Sequence, residues 1–276
     1  LTLMSFVYGG NLVTIGAQSV DFLTIASYRG LTSGAVFDFS SYLANVIQVP
    51  QRSLISISIP VLSRAWKDKD METIDRVYKR SSLNLLLVSI FIFTFIWINY
   101  DNAVAALGLD AIYEEGKWVV FLLALKNIID MGTGVNAQII GTSTHWRFDF
   151  FSGIILLLLA VPLNIILVRE YGIIGSAISN FTAYFIYNTI RIVFLKRKFN
   201  LLPFTQRTVW VILHGAACFA IIHFAFQNMN GFSGIFLRSF AFIALYASTA
   251  IWLQLSPDIN PVVDTLKKRL RLGNKG

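Results

Sequence analysis

Residues 82–99 read SLNLLLVSIFIFTFIWIN and contain no charged side chain. A membrane-spanning α-helix needs about 20 predominantly apolar residues, and this stretch approaches that length. A strand of a membrane barrel would alternate apolar and polar side chains with a period of two. Leu85–Leu87 and Ile90–Phe93 are instead continuous apolar runs. The stretch therefore predicts a transmembrane helix.

The composition of the rest of the chain supports the same class. Of the 276 residues, 55% are hydrophobic and 14% are charged, and the mean hydropathy is +0.64, whereas soluble domains carry about 25% charged residues. We therefore predict an all-α membrane protein with about eight transmembrane helices. The candidate spans are 3–27, 34–62, 82–99, 117–140, 148–168, 173–195, 208–226 and 233–254.

The connections between these spans alternate in charge. Basic residues are concentrated in 63–81, in 196–207 and in the C-terminal tail, whereas 99–117 and 227–232 contain few. Because basic residues favour cytoplasmic loops, both ends are predicted to be cytoplasmic. The net charge of +8 indicates anionic lipid headgroups as partners rather than nucleic acid. Since the chain starts with leucine and lacks a targeting signal, we expect it to be the C-terminal part of a longer protein.

The first basic connection, 63–81, has a helical pattern of its own. Met71, Ile74, Val77 and Tyr78 recur at helical spacing with charged residues between them. This pattern is typical of an amphipathic helix on the membrane surface. The alternative is a docking site for a partner.

The second span carries polar side chains at intervals of three or four residues, which places them on one helical face. A charge in the middle of a bilayer costs roughly 2.5–3.5 kcal/mol on insertion scales, so this face is expected to line a hydrophilic cavity. Arg52 lies near the middle of the span, just after Pro50, where a kink is expected. The face consists of Asp38, Ser41, Asn45, Gln48, Arg52 and Ser56.

The first, fourth and sixth spans are also polar, and we expect them to share this hydrophilic interior. The candidate cavity residues are Gln18 and Asp21 in the first span and Lys126 and Asp130 in the fourth. Lys126 and Asp130 are four residues apart and share a face, so a structural ion pair and a ligand site both stay open. The third, fifth, seventh and eighth spans are mostly apolar and are expected to face lipid more.

Other polar groups have simpler explanations. Ser, Thr and Asn side chains in spans commonly form hydrogen bonds between packed helices. Arg191 and Arg238 lie near span ends, so we expect their side chains to extend to the membrane interface.

Enzyme chemistry is not indicated by any motif. The sequence has no G-x-x-x-x-G-K-[ST] loop and no G-x-S-x-G elbow,. Cys218 is the single cysteine, and the histidines and carboxylates lack the spacing of a metal site,. We predict no catalytic residue, no metal and no cofactor.

Four short stretches together resemble the polysaccharide flippase family, which belongs to a superfamily with multidrug and toxin extrusion transporters and lipid II flippases. The most specific is Pro162–Asn164 followed by Tyr171–Ala177, which is similar to the family signature N-x-x-L-[IV]-x-x-[YF]-G-x-x-G-A-A. The others are Ser33–Phe37, the segment from Val49-Pro50 to Ile59–Ser63 with the charges after it, and Ile139–Arg147.

This resemblance implies an architecture and a function. Residues 1–200 would form the second six-helix lobe of a two-lobed transporter, and 201–276 an extra helix pair with a basic tail. By this resemblance, the expected function is to flip undecaprenyl-pyrophosphate-linked oligosaccharide across the inner (plasma) membrane by alternating access, with a coupling ion as a further expected partner. Cationic cavity residues would attract the pyrophosphate, with Arg52 first and Lys126 second.

Two other functions stay open. An ion-coupled multidrug or toxin antiporter of the same superfamily would need a carboxylate ion site, for which Asp21, Asp38 and Asp130 are the candidates. A membrane-embedded transferase is less favoured, because the loops between the spans are too short to build a catalytic site.

Overall fold

The computed structural model describes residues 20–109, 112–259 and 261, and these residues form helices without any strand. The protein is an all-α membrane protein, as predicted. The helices are α1 (20–29), α2 (Leu31–Asn45), a 3₁₀ turn (Val46–Gln48), α3 (Val49–Lys67), α4 (Met71–Ala106), α5 (Ile112–Gly132), α6 (Asn136–Thr142), α7 (Trp146–Phe199), α8 (Gln206–Ala225) and α9 (Gly231–Trp252).

The number of spanning helices is lower than predicted. In the described part of the chain, α4, α7, α8 and α9 are each long and apolar enough to cross a membrane. The pair Tyr113–Gly132 and Asn136–Thr142, bent by 46°, would make a fifth span. The shortfall from eight has three causes. The first predicted span, 3–27, is described only from residue 20 onward, the second is divided into α2 and α3, and the fifth and sixth both lie within α7.

Helix α7 is a hairpin whose two arms meet at Gly172. This glycine has φ 62° and ψ −138°, a backbone conformation that residues with a Cβ rarely adopt. The first arm (146–171) and second arm (173–199) then run side by side in opposite directions. Asn164 donates a hydrogen bond to Ser176 at 2.7 Å, and Ser179 donates to the Ala160 carbonyl at 3.1 Å.

Replacing Gly175 by alanine is expected to destabilise the hairpin. A Cβ at Gly175 would overlap the carbonyl oxygen of Leu167 in the facing arm, and main chain cannot move aside as a side chain can. Overpacking of this kind costs about 1–3 kcal/mol or more. Gly153→Ala is the matched control, because a Cβ there meets nothing within 4 Å. Thermal unfolding in detergent measures both variants, and equal melting temperatures would contradict the close packing of the arms.

The second predicted span is interrupted in its middle. Helix α2 ends at Asn45, the 3₁₀ turn follows, and Pro50 lies in the first turn of α3, where its missing N–H is not needed. Asn127 of α5 donates a hydrogen bond at 2.8 Å to the Ala44 carbonyl, next to the break. The helical hydrogen-bond pattern therefore changes to a 3₁₀ turn before the proline, and a side chain of α5 contacts the chain at this break.

Helix α5 lies at the centre of the bundle and packs against α2, α4 and α7, while α8 and α9 pack on α4. Half of the apolar window of α4 is buried, so the expectation that this third span faces lipid is wrong. Its buried side chains contribute both to a core shared with α2, α5 and α7 and to a core shared with α8 and α9. The division of the chain at residue 200 stays a prediction.

The segment 71–81 is not a separate helix on the membrane surface. It is the first part of the continuous helix α4, which Asp70 caps by accepting a hydrogen bond from the Thr73 N–H at 2.9 Å. Hydrogen bonding from the Thr73 side chain and, to a smaller extent, from the Thr73 main-chain N–H lowers the pKa of the exposed Asp70 carboxyl. Ile74 and Tyr78 are fully buried, because they pack against α3, α6 and the second arm of α7.

Candidate functional site

The polar face of α2 and α3 is on the outside of the described bundle. Asp38, Asn45, Arg52 and Ser56 are exposed, while Ser41 and Gln48 are half-buried at its edge. The side chains of Arg52 and Asp38 form no hydrogen bond or ion pair with any other described residue. Because hydrocarbon would be a costly environment for these charges, the polar face requires water or a polar partner next to it.

Two predicted residues of this face contact α5. Gln48 donates a hydrogen bond at 3.3 Å to Asp130, and Asn45 accepts one at 3.4 Å from Asn127. Asn45 and Gln48 of the second span thus contact Asn127 and Asp130 of α5 in the same order along the chain. The second span and α5 therefore run in the same direction. Arg52 lies one turn beyond Gln48, and Lys126 lies one turn before Asp130. The two cations are therefore at different depths in the membrane.

Lys126 is half-buried and does not form the ion pair that its spacing from Asp130 allowed. Its ammonium lies 4.5 Å from the centre of the Tyr184 ring, a cation–π distance. No carboxylate in the described part of the chain comes within the 4.0 Å of an ion pair with it. Asp21 and Asp130 nevertheless both interact with Lys126 electrostatically. Lys126 thus retains hydrogen-bond donors for an anionic ligand.

Asp21 joins α1 to both arms of α7. Its Oδ1 accepts hydrogen bonds from Asn164 at 2.6 Å and Ser176 at 3.3 Å, and its Oδ2 accepts one from Asn180 at 3.0 Å. Asn164 is 1% exposed, and its Oδ1 has no hydrogen-bond partner among the described residues. A buried acceptor without a partner is costly. The Asp21 cluster (Asp21, Asn164, Ser176 and Asn180) therefore offers oxygen ligands to a small cation or a water molecule.

A second network runs from Asp130 to the far end of the α7 hairpin. Asn188 donates to Asp130 at 3.1 Å and accepts from Asn136 at 3.0 Å. The Asn136 amide oxygen accepts from Arg191 at 3.5 Å. Arg191 forms an ion pair with Asp149 of the first arm. The network thus connects a central carboxylate to an ion pair that joins the two arms.

The expectation that Arg191 and Arg238 extend to the membrane interface is wrong. Arg191 is 5% exposed and Arg238 is 8% exposed. Arg191 lies 4.0 Å from the Tyr187 ring and pairs with Asp149. Arg238 donates hydrogen bonds to the carbonyls of Ile98, Phe226 and Met229 at 2.6 to 3.0 Å. Both side chains therefore hold neighbouring segments together.

The predicted cavity residues therefore do not form a single site. Asp130 and Gln48 meet each other, Asp21 has its own cluster, and Gln18 lies outside the described residues. Sequence analysis missed the roles of Asn164, Asn188 and Asp149. Asn188 shares a helical face with Arg191, and this spacing is a signal that could have indicated it.

The described residues include no group of three or more His, Cys, Asp or Glu side chains that could hold a metal ion. The polar groups can bind ions and polar ligands. They are the exposed guanidinium of Arg52 and the ammonium of Lys126, neither of which forms an ion pair within residues 20–109 or 112–259, and the Asp21 carboxylate among amides. Comparisons with known proteins add no relative, because no family model, characterised protein or solved structure matches this chain.

Proposed function

We propose that this chain forms one wall of a transporter that flips undecaprenyl-pyrophosphate-linked oligosaccharide across the inner membrane by alternating access. The observation that carries the proposal is the exposed polar face of α2 and α3, where Arg52 lies inside a predicted span and pairs with no other residue in the part of the chain that the structure describes. Charges inside a bilayer face either a water-filled path or a polar partner, and we assign the first of these to this face. The resemblance to polysaccharide flippases supports the same substrate class.

The pyrophosphate is the part of this substrate that the cations fit. A guanidinium offers paired N–H donors that match phosphate oxygens, and an ammonium acts as a point charge. Arg52 lies nearer the predicted cytoplasmic end than Lys126. The headgroup would therefore meet Arg52 first when it enters from the inner leaflet, and Lys126 further along the path.

The break between α2 and α3 provides a hinge for alternating access. Discontinuous helices near the middle of the bilayer are common at transport sites. Here α3 carries Arg52, and the break at Val46–Gln48 is held by side chains of α5. Movement of α3 about this break would carry Arg52 with it.

The Asp21 cluster supports ion coupling. A carboxylate with nearby amide and hydroxyl oxygens can hold Na⁺ or a proton, and its residues come from α1 and both arms of α7. An ion-coupled multidrug antiporter is therefore the second candidate function. Arg52 on the polar face, which has no counter-ion among the described residues, would repel cationic drugs, so the anionic substrate is favoured.

Arg52→Ala in the full-length protein is expected to reduce flipping by about 10–100-fold, because a hydrogen bond to a charged group contributes about 1.5–3 kcal/mol. The test uses cells that lack the full-length gene and measures undecaprenyl-linked oligosaccharide on the inner leaflet. Wild type should clear the accumulated intermediate, Arg52→Lys should clear part of it, and Arg52→Ala should leave it.

Arg147→Ala is the control, because Arg147 lies in a predicted cytoplasmic connection away from the polar face. It should clear the intermediate like wild type. If no intermediate accumulates without the gene, the flippase function is wrong. Dye efflux driven by an ion gradient would then identify the antiporter.

A further inference from the structure

A large apolar cavity lies between α4, α5, the second arm of α7 and α8. Its volume is about 790 Å³, and none of its lining residues is charged. Phe93, Trp97, Phe121 and Phe219 contribute aromatic rings to its walls. Because an apolar cavity gives water few hydrogen-bond partners, the cavity favours an apolar occupant.

The cavity is the gap between α7 and α8, which follow each other in the sequence. Residues 200–205 connect α7 to α8, yet these two helices have almost no contact, since α7 packs on α5 and α8 packs on α4. The four helices around the cavity, α4, α5, α7 and α8, all belong to candidate membrane spans. The gap is therefore open to the bilayer, whose acyl chains are its nearest apolar neighbours.

Two arginines flank the end of the gap that is predicted to be cytoplasmic. Arg197 lies one turn beyond Val193, which lines the cavity, and so projects from the same side of α7,. Arg207 lies between Phe204 and Thr208, which both line the cavity from the α8 side. Both arginines are exposed, and neither side chain pairs with another group in residues 20–109 or 112–259.

We propose that this gap is a binding site for an anionic glycerophospholipid of the cytoplasmic leaflet. One acyl chain occupies the cavity, and the phosphate lies at Arg197 and Arg207. Guanidinium groups bind phosphate oxygens with paired hydrogen bonds, and anionic lipids are attracted to basic residues at this leaflet. The lipid fills the space that α7 and α8 leave and joins the α8–α9 pair to the rest of the bundle. The site does not depend on what the protein transports.

The test is mass spectrometry of the lipids that stay bound to the full-length protein purified in mild detergent from a membrane containing phosphatidylglycerol and phosphatidylethanolamine. Wild type should retain phosphatidylglycerol in preference. Ala216→Trp, which places an indole in the cavity, should lower retained phospholipid about tenfold, the equivalent of 1.4 kcal/mol. Leu213→Trp is the control, because Leu213 is 53% exposed and does not line the cavity.

The headgroup is tested separately. Arg197→Gln combined with Arg207→Gln should retain phospholipid but lose the preference for phosphatidylglycerol, whereas Lys198→Gln should keep it. The proposal is overturned if Ala216→Trp and Leu213→Trp retain equal amounts of lipid. It is also overturned if the double variant keeps the preference, or if the molecule displaced by Ala216→Trp is a polyprenyl lipid rather than a phospholipid.

Discussion

Replacing Asp149 by alanine is expected to lower the free energy of unfolding by at most about 3–5 kcal/mol, which is the cost of breaking a fully buried ion pair by removing one partner; the cost is reduced here because the Asp149 side chain is 35% exposed. The Arg191 side chain is 6% exposed, so its charge would lose its counter-ion in a largely buried position. Ser152 at 3.2 Å and the Asn136 amide oxygen would remain as its acceptors. Neither of them carries a charge.

A double-mutant cycle separates this effect from lost packing. Asp149→Ala combined with Arg191→Met should be more stable than Asp149→Ala alone, because replacing both members of a buried pair is often close to neutral. Lys196→Met, at an exposed site on the same helix, should change little. The measurement is denaturant or thermal unfolding of purified protein in detergent. Additive effects of the two substitutions would show that the ion pair does not join the arms.

Asp21→Asn is expected to make transport by the full-length protein insensitive to ion gradients. The carboxylate is the only anionic group of the Asp21 cluster, and an amide cannot replace its charge or accept a proton. A cation affinity lowered by at least about 10–100-fold is expected, by analogy with the loss of groups that support metal ligands. Flipping is measured in proteoliposomes with imposed sodium and proton gradients.

Asp68→Asn is the matched control for this experiment. Asp68 is exposed in the connection between α3 and α4, so transport by this variant should respond to the gradient as wild type does. If Asp21→Asn keeps the wild-type response, the cluster has only a structural role. In that case its three hydrogen bonds serve to hold α1 against the α7 hairpin.

The helical membrane class could be predicted from the sequence because it depends on local properties. Long uncharged runs such as 82–99 can satisfy their backbone groups in a bilayer only as helices. The count of spans depends on where helices break, and these breaks depend on distant contacts. The 3₁₀ turn at Val46–Gln48 is stabilised by Asn127, about 80 residues later in the chain. Composition gives no signal for such a contact.

The candidate site was predictable to a similar extent. Spacing alone placed Asp38, Asn45 and Arg52 on one face, since helical periodicity is a property of a single segment. Pairings between helices could not be derived in this way. Position near a span end indicated interface exposure for Arg191, whereas its partner Asp149 lies 42 residues earlier in the facing arm. For Lys126 and Asp130, by contrast, the spacing of four residues allowed an ion pair, but the two side chains do not form one.

The most direct test of the central claim is the accessibility of the polar face to water and substrate. In a Cys218→Ser background of the full-length protein, Asn45→Cys is labelled with a membrane-impermeant thiol reagent, and Leu158→Cys on the apolar outside of α7 is the control. We expect Asn45→Cys to react, and added undecaprenyl-pyrophosphate-linked oligosaccharide to protect it, while Leu158→Cys stays unlabelled. If Asn45→Cys is as unreactive as Leu158→Cys, or if the substrate gives no protection, the polar face does not line the transport path.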